Sequence, residues 1–403
     1  MKEQAAKKIG RLVVCLCLIL AYSSSVLATN GMRVIGFGPV QRAMGGANTA
    51  LPLDSAVTLS NPAALIELDR RLDIGATYFD PKVRYKATSN AAMVTRNNVF
   101  IDSDAGPCVM PAAGVTLPVN DEYTFGFGAY GACGMGVDYP SNLYHNVTYT
   151  EYRLMKFAPA VAHRFNDALS AGVALNLNYA TMEFHAGSTL ERPHKDGDAY
   201  GIGVTVGTMY KISEIAALGL AYESKQSFSD FKFSTPAGTD KLRLNQPQSL
   251  TCGVGIRPFE SLRVAFDVSW IDWPQTAGKN RPAYTQNRSG ATAWNMNWDE
   301  QFVYKFGFEC DLDGKTKLRL GYNYARNPLD SNRAFENIAF PAIAEHHITG
   351  GLGIKLTDKM ILNLGAMYAP KVSFKTANTN QFINSAATEM SQHSVEMGLA
   401  YIF

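Results

Sequence analysis

Enzymatic chemistry needs a nucleophile, a base and an orienter within reach of one another, or several ligands converging on a metal. The chain offers seven histidines: His145, His163, His185, His194, His346, His347 and His393. Several fall in stretches that read as loops. His346 and His347 are adjacent, so on a strand they would point to opposite faces; they read as loop chemistry rather than a metal pair. His347 and Ser269 share one parity, but they belong to the twelfth and ninth segments of the pattern described below, which are not neighbours. No catalytic set assembles. The chain reads as a non-enzyme with no metal and no cofactor.

Two other groups carry chemical weight. Lys305, Lys317 and Arg319 share a face with Asp267 and Glu309, so mutual neutralisation competes with ligand binding; Lys305 and Arg319 are kept as ligand-binding candidates. The second group is Gly126, Gly128, Gly131, Gly134 and Gly136. Within one strand these weaken ladder pairing and permit a bulge or bend. The competing reading is a glycine-rich strand packed closely on something inside.

These residues sit on segments of strict period two. In 262–270, Leu262, Val264, Phe266, Val268 and Trp270 share one face, with Arg263, Ala265, Asp267 and Ser269 on the other. In 302–309, Phe302, Tyr304, Phe306 and Phe308 oppose Val303, Lys305, Gly307 and Glu309. The split recurs at 169–180, 201–210, 217–223, 317–324, 360–368 and 395–403. The apolar face is aromatic and free of charge in strand after strand. The other holds Gly, Ala, Ser and Asn with scattered charges of both signs. A soluble sandwich would fill its second face with Lys, Glu and Thr. A wall with lipid outside and a partly filled lumen fits better, since a charge at the lipid midplane costs about 2–4 kcal/mol.

Composition agrees. Charged residues are 18%, apolar residues 46% and aromatics 11% of the 403 residues. That excludes a disordered chain. Beyond the N-terminus no apolar run approaches the ~18 residues of a spanning helix. A net charge of +2 gives no reason to expect nucleic acid as a partner. Short turns at 119–122, 166–167, 211–214, 257–260, 311–315 and 357–359 alternate with long connections at 81–108, 138–147, 185–197, 229–243, 273–298, 326–344 and 375–388. The expected fold is therefore all-β: a closed, 14-stranded antiparallel transmembrane β-barrel over 70–403, with both ends on the short-turn side. The fourth strand, near 148–165, is interrupted by Lys156 and Pro159.

The first 28 residues read as a signal peptide, with Lys2, Lys7, Lys8 and Arg11 before an apolar core at 12–21 and a cleavage site at Val26-Leu27-Ala28. Four of the six cysteines remain after it, too few for a disulfide scaffold. Residues 29–69 lack alternation, are rich in Gly and Ala, and are too short to be a stable domain alone. They are expected inside the barrel as a hatch, or plug.

The run Gln41-Arg42-Ala43-Met44-Gly45-Gly46-Ala47-Asn48-Thr49-Ala50, followed by Asn61-Pro62-Ala63, resembles the hatch of the FadL family. These are outer-membrane channels for long-chain fatty acids and other hydrophobic compounds, including aromatic hydrocarbons. The likeness runs on through Phe125-Gly126-Phe127-Gly128, Gly197-Asp198-Ala199-Tyr200-Gly201 and Leu318-Arg319-Leu320-Gly321-Tyr322 to the terminal Tyr401-Ile402-Phe403. It implies a multi-pass protein of a Gram-negative outer membrane, lipid around the wall, and barrel assembly machinery reading Phe403. It implies a hydrophobic small-molecule ligand caught among the outer loops, held in the lumen, and released sideways at a kink in strand three. The gate would be Tyr130-Gly131-Ala132-Cys133-Gly134, with the hatch motif Asn61-Pro62-Ala63 lying against it. Fatty-acid binders of the family place basic residues just after strand five and just before strand ten. Here those places hold His185 and Trp298, a weak anion holder and an aromatic face, which tilts the expectation towards a neutral or aromatic ligand. A general hydrophilic porin is the alternative, and it would show more luminal charge and no hatch.

Overall fold

The structure is a computed structural model. It describes residues 30–89, 97–140, 147–186, 192–235, 238–281, 283–286, 290–293, 295–377 and 383–403. The expected signal peptide lies outside them.

Fourteen strands form the wall: β1 (Arg71–Thr88), β2 (Cys108–Pro118), β3 (Tyr123–Asp138), β4 (Val147–Arg164), β5 (Leu169–Ala186), β6 (Arg192–Ser213), β7 (Ala216–Glu223), β8 (Ser249–Phe259), β9 (Leu262–Ile271), β10 (Gln301–Asp311), β11 (Thr316–Ala325), β12 (His346–Lys355), β13 (Met360–Ala377) and β14 (Ser385–Ile402). Each pairs antiparallel with the next, and β1 closes on β14 from Arg71 opposite Ile402 to Thr88 opposite Ser385. Closure gives every strand a neighbour on both sides, so no whole strand is left as an edge. The alternation read from the sequence is kept. Phe302 and Tyr304 of β10 are exposed outward, while Val303 is buried inward. β4 forms despite its interruptions. Lys156 turns inward to Glu223, and the ladder to β5 skips Ala158 and Pro159, as expected where proline has no N–H to give.

The long connections are more ordered than their polar sequence suggests. Phe231–Thr235 and Gly238–Arg243 form a hairpin that Ala283–Gln286 and Gly290–Ala293 extend to a four-stranded sheet. Phe231, Phe233 and Leu242 are buried beneath it.

Residues 30–69 touch the wall all the way round, which places them within the ring. They form helix α1 (Gly38–Ala43), helix α2 (Val57–Ser60) and a 3-10 turn at Pro62–Glu67. α1 contacts β11, β12, β13, β14 and β1, and the 3-10 turn contacts β3, β4, β5 and β6. Gly45 and Gly46, with φ of +64° and +83°, end α1. The carbonyl of Ile35 lies where a Cβ on Gly46 would go, so no larger residue fits. The charges on the second face of the wall hold this segment. Asp267 Oδ2 accepts from Asn48 N (2.9 Å), Thr49 N (3.0 Å) and Thr49 Oγ1 (2.7 Å). Arg42 donates to Glu396 at 2.9 Å. Asp73 accepts from the Ser55 amide at 2.9 Å and its hydroxyl at 2.7 Å.

Candidate transport site

β3 is where the wall departs from regularity. From Thr124 to Tyr130 it pairs with β2. Beyond Tyr130 no residue of β3 has a β2 partner, while Cys108–Pro111 of β2 pair only with β1. On the other side, the register with β4 shifts between Gly131 and Cys133, opposite Met155 and Leu154. Ala132 is thus one residue in excess, a bulge. The bulge exchanges the faces: Tyr130 is buried before it and Val137 after it. The five residues expected at a gate straddle this break. Gly126 and Gly128, by contrast, are paired on both sides and face Thr58, Leu65 and Leu59. Close packing therefore explains the first two glycines of the series, and the irregularity begins at the third. Only the backbone of Cys133 is described; Cys108 is a free thiol.

A cavity of about 680 Å³ joins the lumen to this break. At its inner end are His347, Arg42 and Gln392. Its sides carry Met32, Met110, Met135, Met367, Met390, Val34, Ile35 and Val83. Its other end reaches Gly131, Gly134 and Val109, the last 66% exposed on the outer side of the wall. Methionine supplies flexible, polarisable surface that adapts to differently shaped apolar molecules. A second cavity of about 100 Å³ lies across the N-terminal arm. It is polar: Arg33 and Lys156 share Glu223 at 3.4 and 2.5 Å, and Lys305 faces it. Arg33, Val34 and Ile35 line both cavities and so divide them.

The arm reaches β3 directly. The Val34 amide donates to the Ala132 carbonyl at 3.4 Å, and the Phe37 and Tyr130 rings stand 5.9 Å apart. The expectation that Asn61-Pro62-Ala63 lies against the gate is corrected here. Asn61 caps the 3-10 turn by accepting from Ala63 N (3.2 Å), and its amide donates to the carbonyls of Thr49 (2.6 Å) and Thr208 (3.2 Å). Ser170 donates to the Ala63 carbonyl at 3.3 Å. The motif is seated on β5 and β6, where Gly172 and Gly207 leave room for it.

The other candidates separate. His185 is corrected: its parity is outward, where it stacks on Tyr149 at 4.6 Å and meets Glu183 at 3.2 Å. Trp298 is 1% exposed and lines neither cavity. It donates to Asn337 at 2.6 Å and stands edge-on to Trp273, whose ring covers Gly31. It belongs to the core under the outer loops. Arg319 is engaged by Glu309 (2.7 Å) and Asn363 (2.8 Å), with Arg263 also on Glu309 at 2.6 Å. It holds the wall together. Lys305 alone of the four faces a cavity. The methionine lining, Arg42 and His347 were not among the sequence candidates. The methionines are scattered over the arm and several strands, and no spacing connects them.

A closed antiparallel barrel of fourteen strands with an aromatic, uncharged outer face is an outer-membrane protein. Residues 23–401 match the family described as outer membrane protein transport protein (OMPP1/FadL/TodX). The chain belongs to that family, which consists of transport channels. It is 22% identical to outer membrane protein P1 of Haemophilus influenzae over 93% of each chain. Among solved structures it is similar in fold to a Pseudomonas aeruginosa FadL homologue (TM-score 0.76, 15% identity, 93% of this chain and 100% of that one). It is likewise similar to the Pseudomonas putida toluene transporter TodX (TM-score 0.74, 18% identity, 94% and 100%).

Proposed function

We propose that this protein carries hydrophobic small molecules inward across the outer membrane and releases them sideways through the wall. The observation that carries this reading is the methionine-lined cavity running from the lumen to the break between β2 and β3. Residues 30–69 act as the hatch, and their arm, tied to Ala132, sets whether the passage is open. Tyr130-Gly131-Ala132-Cys133-Gly134 form the gate. Release into the bilayer is downhill by about 0.8 kcal/mol per CH₂. A polar exit through the axis would forgo that gain. The ligand is a neutral or aromatic compound rather than a long-chain acid, because the arginines that line the large cavity, Arg33, Arg42 and Arg153, are already paired with Glu223, Glu396 and Glu151. Phe403, exposed after β14, is the contact for the assembly machinery.

The alternative, a hydrophilic porin, would need an open axis, and the buried N-terminal segment argues against it. Single-channel conductance, together with uptake of a hydrophobic probe by cells, tests the choice. Near-zero conductance with measurable uptake supports the proposal. Large steady conductance without uptake would favour the porin.

A further inference from the structure

His347 raises a question that hydrophobic transport alone does not answer. It is fully buried on β12 and lines the large cavity at its inner end. Neither ring nitrogen has a hydrogen-bond partner. Gln392, which also lines the cavity, interacts with the ring without closing a hydrogen bond of normal geometry. The Gln392 amide nitrogen rests instead on Met390 Sδ at 3.1 Å, a weak acceptor. Buried polar groups are ordinarily paired, and leaving one unmade costs stability. A site for plain hydrocarbons would gain nothing from such a residue.

The remaining polar group there is already occupied. Arg42 gives Nε to Glu396 at 2.9 Å and Nη2 to Ser394 at 3.1 Å. The guanidinium and carboxylate cancel, so this end of the cavity offers no net positive charge to an acid. What it offers is hydrogen bonding. A neutral imidazole carries one donor and one acceptor, and so does a hydroxyl group.

We infer that His347 is a specificity residue that recognises the hydroxyl of an otherwise apolar ligand, an alcohol or a phenol, with Gln392 beside it. His347 has no accessible surface in this structure, so the flexible Met367 and Met390 would move aside for the hydroxyl to reach the ring, and the apolar body would lie over them and Met110 towards the gap. The inference rests on the transport reading above and narrows its ligand class.

Toluene and p-cresol differ by one hydroxyl and separate the possibilities. Both are measured by equilibrium dialysis against the purified full-length protein in detergent, with binding to empty micelles subtracted. The expected result is a preference of about tenfold or more for p-cresol. His347→Leu should abolish that preference by weakening p-cresol alone. His347→Gln, which keeps a donor and an acceptor, should retain most of it. Equal binding of the two compounds to the unaltered protein, or an unchanged preference in a folded His347→Leu barrel, would overturn the hydroxyl site and leave hydrophobic transport standing. A preference lost equally in His347→Gln would also overturn it, since shape would then be the cause. Binding of neither compound would overturn the hydroxyl site as well, and the transport reading would then stand or fall on the uptake test above.

Discussion

The Val34 amide donates to the Ala132 carbonyl, and Ala132 is the residue that β3 holds in excess over β4. One hydrogen bond thus joins the N-terminal arm to the irregular point of the wall. Val34→Pro removes the donor and nothing else that β3 uses. The loss is about 1 kcal/mol, a factor of roughly five in a two-state equilibrium. It should raise hydrophobic uptake or ionic leak by about that factor while the barrel stays heat-modifiable on a gel. A silent variant would separate the arm from the gate.

Gly131 and Gly134 are not equivalent. A Cβ on Gly131 would stand 3.0 Å from Met110 Cβ, across the gap, whereas on Gly134 the nearest atom is the Tyr152 carbonyl at 3.7 Å. Gly131→Val should fill the passage and reduce uptake severalfold. Gly134→Val meets only an ordinary van der Waals contact and should cost less. Initial uptake rates of the two variants, normalised to assembled barrel, give the order. The reverse order would place the passage elsewhere.

Arg319 and Glu309 are 6% and 3% exposed and hydrogen-bonded at 2.7 Å. Breaking one side of a buried pair costs about 3–5 kcal/mol. Arg319→Met should lower the temperature at which the barrel loses its compact gel mobility, with ligand affinity unchanged. A variant as stable as the parent but weaker in binding would return Arg319 to the ligand site.

Asn61→Ala removes a helical cap and two donors to buried carbonyls. It should cost the seating of the N-terminal segment about 1–2 kcal/mol. Faster proteolysis within residues 30–69 of the purified barrel would report it. Unaltered proteolysis would mean that the segment's other hydrogen bonds, ion pairs and apolar contacts hold it without the cap.

Much of this was legible in the sequence. Period two fixed which residues face lipid, and so placed Lys305, Arg319, Asp267 and Glu309 on the inner face. Turn lengths gave the strand count, and the glycines marked β3. What failed did so for physical reasons. His185 was placed by likeness to a family position, yet strand parity puts it outside. Alternation shows which way a strand's residues point, not which of fourteen strands an inner loop meets, so Asn61-Pro62-Ala63 was set against β3 when it rests on β5 and β6. The outer four-stranded sheet joins 231–243 to 283–293, and such pairing between distant polar segments leaves no local signature. His347 was seen to share the inward parity, but its lack of a partner is a property of the packed lumen.

Sideways passage through the gap is tested most directly by closing it reversibly. The Cβ positions at 110 and 131 are near enough for a disulfide with small backbone adjustment. Met110→Cys with Gly131→Cys, in a Cys108→Ser, Cys133→Ser background, allows uptake of one hydrophobic probe to be measured oxidised and again after reduction. Uptake should be lost in the oxidised barrel and restored by the reductant. Equal uptake in both states, with the bond verified by mass spectrometry, would contradict release through the wall between β2 and β3.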